Sequence, residues 1–242
     1  MVGEATLILL QAPADSSFPS GTPISLGPDL RLRRVGNCAS SQCLGVGSAQ
    51  YADAGSDPYV SWGRWTGNSV AVDSTDPNTP LAANRSIHYL VGAPTVTMPT
   101  SGTFSYALFG GTSPTVSDGS MAPGTFRLNA VAHFAPAMQT RVGLEAQVTM
   151  ENGQYKFSTP GGLGNSSRGG LAMDSLNSFS GVLQTQPNAG GGDFKCKGGG
   201  CRVDVQGGFF GPDAARMGVG YSIAAPGSAG RTISGVGVLE KK

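Results

Sequence analysis

Apolar and polar residues alternate along the chain from about residue 100 onwards. The clearest case is Val142–Met150, where every second residue is apolar and Glu145, Gln147 and Thr149 lie between them. A period of two is typical of a strand with one buried face. The turn Asn152-Gly153 that follows favours a tight hairpin. The pattern predicts eight strands, at Thr103–Phe109, Phe126–Phe134, Val142–Met150, Tyr155–Ser158, Ser178–Gln184, Arg202–Phe210, Met217–Ile223 and Thr232–Leu239.

Eight antiparallel strands of this length predict an all-β fold. We expect residues 100–242 to form a small eight-stranded barrel, because closure removes the exposed edges of the sheet. A two-sheet sandwich has the same periodicity and stays open as an alternative. Two glycine-rich segments, Pro160–Gly170 and Asn188–Gly192, are predicted to be flexible, exposed turns, since neither contains the string of a phosphate-binding loop.

Residues 1–99 have a less regular pattern, which predicts a loop-rich accessory β region ahead of the barrel. Four prolines within residues 11–30 leave no room for a long helix or strand. Short strands are predicted at Arg31–Val35, Tyr59–Trp65, Ser69–Asp73 and Ile87–Val91, with a polar loop at Asp73–Ala83.

Composition supports a turn-rich β protein and excludes several classes. The 242 residues include 38 Gly and 16 Pro, which argues against a helix bundle or a coiled coil. The net charge is +1, so the chain lacks the basic excess of a general nucleic-acid or anionic-membrane binder. The apolar run Ala5–Leu10 is too short for a signal peptide or a membrane span. We therefore expect a mature or truncated chain with no membrane span and no nucleic-acid partner.

The four cysteines form two local pairs of equal spacing, Cys38 with Cys43 and Cys196 with Cys201. Each pair encloses four residues, which favours two short-range disulfides and hence a periplasmic or extracellular protein. A four-cysteine zinc site is an alternative, but about 150 residues separate the pairs, far more than such sites use. Free thiols are the third alternative.

The segment from Gly207 to Gly218, with the sequence GGFFGPDAARMG, resembles a signature of the transferrin-binding protein B-like β-barrel domain. That family includes bacterial surface lipoproteins, and the resemblance covers roughly residues 100–242. Arg216 departs from the pattern, since the family usually has Glu there. We expect Pro212 to start one helical turn, Met217 to be buried at one end of the barrel and Arg216 to be exposed. The residues given this structural role are Gly208, Phe210, Gly211, Pro212, Met217 and Gly218.

A second resemblance lies upstream, where WGRWTG (62–67) and IHYLVG (87–92) are similar to the C-terminal regions of FecR-like envelope regulators. This resemblance implies that Trp62 and Trp65 pack an accessory strand onto the barrel. Two hypotheses follow for the tryptophans: a hydrophobic clamp between the two parts of the chain, or an exposed aromatic pair that binds a ligand.

Signals for catalysis are sparse, because the chain has no nucleophile elbow, no zinc-protease motif and no dinucleotide fingerprint. We therefore expect no enzymatic activity and no catalytic or metal site. Haem binding is an alternative in which His88 or His133 ligates iron, with Tyr89, Met121 or Met138 as a second ligand. We expect no tight haem complex, since no attachment motif accompanies these residues.

The sequence therefore predicts a non-enzymatic binding module of the Gram-negative envelope, located in the periplasm or at the cell surface. The resemblance implies that loops of the barrel recognise a protein, from the host or the envelope, or an iron-related ligand. Trp62, Trp65, His88, Tyr89 and His133 are the candidate binding residues. A sensor or scaffold portion of a FecR-like regulator and a haem carrier are the two alternative functions.

Overall fold

A computed structural model describes residues 6–11, 22–37, 43–72, 78–136, 139–174, 177–226 and 230–242. The described part of residues 1–99 forms short antiparallel strands in three small sheets. These strands are β1 (Thr6–Leu10), β2 (Ile24–Leu26), β3 (Leu32–Gly36), β4 (Cys43–Gly45), β5 (Gln50–Ser56), β6 (Val60–Thr66), β7 (Ser69–Val70), β8 (Thr79–Pro80) and β9 (Ser86–Gly92).

Longer strands follow in the second part of the chain. They are β10 (Gly102–Gly111), β11 (Thr115–Val116), β12 (Thr125–Phe134), β13 (Arg141–Met150), β14 (Gly153–Ser158), β15 (Leu171–Ala172), β16 (Ser178–Gln184), β17 (Arg202–Phe210), β18 (Arg216–Ala224) and β19 (Thr232–Lys241). Three 3₁₀ turns (Leu163–Asn165, Gly192–Phe194 and Pro212–Ala214) and one helical turn, α1 (Ser166–Gly169), connect them.

Eight of these strands form a nearly closed antiparallel barrel. Their order is β14-β13-β12-β10-β19-β18-β17-β16, and a bridge between Phe157 and Thr185 joins the last strand to the first. β15 lies beside β13, and a second bridge, between Met173 and Phe179, connects it to β16. All eight predicted barrel strands are confirmed, and the sandwich alternative is wrong.

Large side chains fill the barrel. Tyr106, Phe134, Tyr155, Phe209 and Tyr221 are each at most 2% exposed. The Tyr106 hydroxyl donates a hydrogen bond to the Ala214 carbonyl across one end of the barrel (2.8 Å). An eight-stranded barrel is only just wide enough for such side chains, so the interior is a packed core rather than a ligand cavity.

The accessory region is built around a four-stranded sheet of order β1-β9-β6-β5. Alternate residues of this sheet point to opposite faces. One face, with Ile8, Trp62 and Leu90, packs on the outside of the barrel at Phe210, Val236 and Val238. The other face packs on the small sheet β2-β3-β4. The domain boundary between residues 99 and 100 stays a prediction; β9 ends at Gly92 and β10 begins at Gly102.

Several accessory strands were not predicted. β1 lies in the apolar run Ala5–Leu10, which is too short for a signal peptide or membrane span and for which the pattern predicts no structure of its own. It is a strand with both faces covered, so its apolar residues are continuous. β2, β4, β5 and β8 are short or contain glycine or proline, so they lack a period of two long enough to recognise, although each pairs with a strand next to it in the chain. In the predicted polar loop, residues 73–77 lie outside the described residues, and Thr79–Pro80 pairs with Ser69–Val70.

The glycine-rich segment Pro160–Gly170 is more structured than predicted. It contains the 3₁₀ turn Leu163–Asn165 and the helical turn α1, whose first residue, Ser166, is buried. Gly143 of β13 makes room for it, because a Cβ at that position would lie 2.8 Å from the Ser166 Cβ. The expected turn is therefore partly ordered into helical turns, and Ser166 is the one residue of 160–170 that is buried rather than exposed or half-buried.

The segment Gly207–Gly218 connects β17 to β18 at one end of the barrel. Met217 is fully buried, which confirms its predicted place. Pro212 begins a short turn, as predicted, but it is the 3₁₀ turn Pro212–Ala214, in which Asp213 and Ala214 have positive φ (51° and 56°). Gly211 also has positive φ (74°) and lies against the ring of Tyr59, so glycine suits it on both grounds.

Other residues of this segment hold the accessory sheet. Phe210 is fully buried between the outside of the barrel and β9. Its ring lies so close to Gly218 that a Cβ there would be only 2.7 Å from Phe210 Cε2. A Cβ at Gly218 would also lie 2.8 Å from the Leu90 side chain. Gly208 pairs with Gly218 across β17 and β18. The structural role expected for these residues thus includes the contact between the two parts of the chain.

The predicted disulfide Cys196–Cys201 is present, with the two Cα atoms 4.9 Å apart. It closes the loop after the turn Gly192–Phe194 and is buried. Cys38 lies outside the described residues, so the Cys38–Cys43 pairing stays a prediction. Among the residues that the structure describes, no helix has the length and apolar character needed to cross a membrane.

Candidate functional site at the junction of accessory sheet and barrel

Trp62 of β6 is the central side chain of the junction. It is 7% exposed and lies between Gly55 of β5 and Gly110 of β10. A Cβ at either glycine would overlap the indole ring, so both strands approach the ring with bare backbone. Phe109 packs edge-on against the indole, with the ring centroids 5.9 Å apart. The buried position of Trp62 between β5 and β10 is therefore the one that the hydrophobic-clamp hypothesis requires.

Trp65 and Tyr89 lie on the opposite face of the same sheet. Both are fully buried, with ring centroids 6.0 Å apart. The Trp65 Nε1–H donates a hydrogen bond to the Leu32 carbonyl of β3 (3.2 Å). Burial also raises the pKa of the Tyr89 hydroxyl above its ordinary value. The two residues therefore form the core between the accessory sheets and not an exposed aromatic pair.

His88 of β9 faces the barrel and is fully buried. Its Nδ1 and Nε2 each lie 2.8 Å from a threonine hydroxyl, Thr112 and Thr115 respectively. The Val236 N–H donates to Thr112 Oγ1, and Thr115 Oγ1 donates to Gln11 Oε1. Because the Thr115 hydroxyl proton is used in this way, the His88 Nε2–H donates to Thr115 Oγ1. These partners suit a neutral imidazole, whose Nδ1 can accept from the Thr112 hydroxyl.

The electrostatics of the junction also favour neutral His88. Burial, together with the nearby Arg64 guanidinium, lowers the pKa of His88 from 6.5 to about 3. Arg64 pairs with Asp53 (2.7 Å) and donates to Ser86 Oγ (2.9 Å). Burial alone would raise the pKa of Asp53, but the hydrogen bonds from Arg64 and from the Ser113 N–H outweigh it and hold the pKa below its ordinary value.

His133 lies elsewhere, on β12, where its Nδ1 is 2.9 Å from Thr103 Oγ1 of β10. The structure therefore separates the two histidines, one inside the junction and one on the barrel wall. Met138 lies outside the described residues, and no group of three or more potential metal ligands occurs in the part of the chain that the structure describes. A binding role for His88, Tyr89, Trp62, Trp65 and His133 stays a prediction, but the first four are buried.

The accessible part of the junction is formed by residues that the sequence did not single out for binding. Phe109 is 47% exposed beside buried Trp62, and the Arg216 guanidinium lies 4.9 Å from the centre of its ring. Arg216 in turn pairs with Asp57 (2.6 Å) and with Glu240 (3.6 Å). We call Tyr59, Phe109 and Arg216 the junction patch. Its only sequence signal is Phe109-Gly110-Gly111 at the end of a strand.

The expectation that Arg216 is exposed is wrong. Its side chain is 16% exposed and that of Asp57 is 8% exposed, because the loop between β5 and β6 folds over the start of β18. Asp57 Oδ1 also accepts the N–H groups of Tyr59 and Val60, which fixes this loop. The ion pair therefore fastens the accessory sheet to the barrel.

We expect Arg216→Ala to lower the free energy of unfolding by about 2–4 kcal/mol, since the change leaves the buried Asp57 carboxylate without its cation. Urea unfolding measures the change. Arg202→Ala is the matched control, because Arg202 pairs with Asp204 on the open surface and should leave stability unchanged. Equal stabilities of the two variants would contradict the fastening role.

Comparison with known proteins gives a likeness of fold. Neither a protein-family model nor a curated protein matches the chain. The match to intact transferrin-binding protein B (Ap-TbpB, N and C lobes) covers 98% of this chain and 45% of the transferrin-binding protein chain, with 14% identity and a TM-score of 0.49. The match to isotype 1 transferrin-binding protein B from serogroup B Neisseria meningitidis covers 96% of this chain and 37% of that protein's chain, with 14% identity and a TM-score of 0.45. The match to a surface lipoprotein covers 81% of this chain and 82% of the lipoprotein chain, with 12% identity and a TM-score of 0.43.

These matches are to transferrin-binding protein B and surface lipoprotein structures, the kind of protein that the sequence resemblance named. The chain spans less than half the length of the two transferrin-binding protein B chains. At these identities and TM-scores the matches describe the fold and identify no ligand or partner. The chain is an all-β barrel protein with an accessory β region, and it resembles those structures.

Proposed function

We propose that this chain is a non-enzymatic binding module of the Gram-negative cell envelope that recognises a protein partner. The observation that carries the proposal is the junction patch, in which the half-exposed Phe109 ring is held between buried Trp62 and Arg216. Aromatic residues and arginine dominate the energetics of protein interfaces, above all where the surrounding structure already fixes them. Holding the ring before binding lowers the entropy cost of association.

Two further observations support this proposal. The barrel interior is filled by its own side chains, so recognition has to use the outer surface and the loops. The disulfide Cys196–Cys201 favours an oxidising compartment, in agreement with the periplasm or the cell surface. The resemblance to the transferrin-binding protein B-like family, which includes surface lipoproteins, adds the envelope location.

The haem-carrier alternative gains no support from the histidines. Both ring nitrogens of His88 have threonine hydrogen-bond partners inside the junction and the side chain is fully buried, so iron could reach the ring only by breaking one of these bonds. His133 lies on the barrel wall beside Thr103. No observation among the described residues favours a FecR-like regulator.

We expect Phe109→Ala to abolish partner binding while the protein stays folded, since the ring is half exposed. The immobilised wild type and the variant are exposed to serum and to solubilised envelope, and retained proteins are identified by mass spectrometry. Transferrin, named in the matched structures, is then tested as a purified protein. Val182→Ala, which truncates an exposed apolar side chain on β16, is the control.

The expected result is a protein retained by the wild type and by Val182→Ala and lost with Phe109→Ala. Two results would refute the proposal: equal retention by all three proteins, or retention of nothing from either source.

A further inference from the structure

The barrel wall opposite the accessory sheet carries a polar groove. The accessory strands contact β17, β18 and β19 from outside, whereas β13 lies three strands from both β17 and β19 around the barrel, with β14 beside it. The groove has a volume of about 600 Å³ and follows the seam where β14 meets the end of β16. It is separate from the junction patch, so its role is independent of the function proposed above.

The strand register arranges the groove in two rows of outward-facing side chains. Arg127 of β12, Gln147 of β13 and Lys156 of β14 are direct cross-strand neighbours and form the first row. Asn129, Glu145 and Ser158 form the second. Because adjacent strands lie about 4.8 Å apart, the backbones of Arg127 and Lys156 are about 10 Å apart, with Gln147 between them. Both side chains are long enough to reach a group held above Gln147.

The two cationic side chains of the first row have no anionic partner among the described residues and can bind a ligand. Arg127 and Lys156 are exposed and make no ion pair with the described residues, whereas Arg64, Arg202 and Arg216 are all paired. The one carboxylate of the groove, Glu145, accepts a hydrogen bond from the Leu163 N–H (3.3 Å) and lies in the second row. The charges therefore place an anionic group of a ligand on the first row.

The remaining lining favours a polyhydroxylated ligand. The side chains of Asn129 and Gln184 are exposed and form no hydrogen bond to the described residues, so their amide groups can donate to and accept from hydroxyls. Gln186 is not available, because it binds backbone groups of β14 and closes the seam. The apolar lining residues, Ala146 and Phe157, belong to the core and are 8% and 5% exposed. The groove thus lacks the exposed aromatic anchor of a protein interface.

We propose that this groove binds an acidic saccharide. A sugar carboxylate lies above Gln147 and receives hydrogen bonds from Arg127 and Lys156, since charge-assisted bonds to a carboxylate are the strongest that the lining offers. Hydroxyls of the same or the next sugar ring bind the amides of Asn129 and Gln184. Glu145 excludes a second carboxylate from its row, which orients the sugar chain across the strands.

Trigalacturonic acid is the probe, and binding is measured by isothermal titration calorimetry and NMR shift mapping on the full chain. We expect saturable binding, with shifts at β12–β14, and about tenfold weaker binding for each of Arg127→Gln and Lys156→Gln. Lys197→Gln, in the disulfide loop, removes the same charge outside the groove and should bind like the wild type. The melting temperatures should not change, because these side chains are exposed.

Four results would overturn the proposal. Equal binding of maltotriose would show that the carboxylate is not recognised. Equal or tighter binding of a tri-glutamate peptide would show that the groove takes an acidic peptide instead. No binding up to about 10 mM, or binding that both charge variants leave unchanged, would remove the site altogether.

Discussion

Lowering the pH from 7 to 4.5 is expected to reduce the free energy of unfolding by about 2–3 kcal/mol through His88 alone. The pKa of this imidazole is about 3 in the folded protein and 6.5 as the ordinary value. Between these values the unfolded chain binds a proton that the folded protein excludes, so stability falls as the pH falls. The contribution is complete above pH 6.5, and its full loss, near pH 3, amounts to roughly 5 kcal/mol.

Urea unfolding at pH 7.0, 5.5 and 4.5 measures this loss in a window above the ordinary pKa of aspartate. His88→Gln should be less stable than the wild type at pH 7 and should depend much less on pH. His133→Gln is the control, because His133 lies outside the junction and should leave the wild-type pH dependence intact. An unchanged slope in His88→Gln would show that other groups cause the acid sensitivity.

Trp62→Ala should cost about 3–5 kcal/mol of stability, in the range of other large-to-small changes in cores. The flanking glycines, Gly55 and Gly110, have no side chains that could move into the space, so a cavity remains between β5 and β10. Hydrogen exchange should increase most in β5, β6 and β9, because these strands lose their contact with the barrel.

Thermal and urea unfolding test this cost, with Val96→Ala as the control, since Val96 is 94% exposed. A loss below 1 kcal/mol, or increased exchange confined to the barrel, would contradict the role of Trp62 as the clamp.

The barrel was predictable from the sequence because each of its strands buries one face. Alternation such as that of Val142–Met150 therefore marks both the strand and its inner side chains. The accessory sheet was less predictable because it is covered on both faces. β1 and β9 consequently show nearly continuous apolar character in place of a period of two.

The candidate site was predicted only in part. The tryptophans and His88 stood out as rare residue types, but nothing local shows that Trp62 meets Gly110 or that His88 meets Thr112 and Thr115. Arg216 was expected in solvent because its ion partner, Asp57, is 159 residues away in the chain. Such contacts between distant parts of the chain depend on the whole fold, whereas a local sequence pattern is informative only about residues close together in the chain.

The contact of β1 with the barrel has a consequence for the order of folding. Ile8 packs in one cluster with Val236, and Gln11 donates to the carbonyl of Thr232, 221 residues further along the chain. β1 also contacts β17 and β18, so most of its contacts with the barrel form only after β17, β18 and β19 have been synthesised. Such long sequence separation slows folding and leaves apolar strands exposed meanwhile. We accordingly expect the nascent chain to depend on a holding chaperone until β19 is complete.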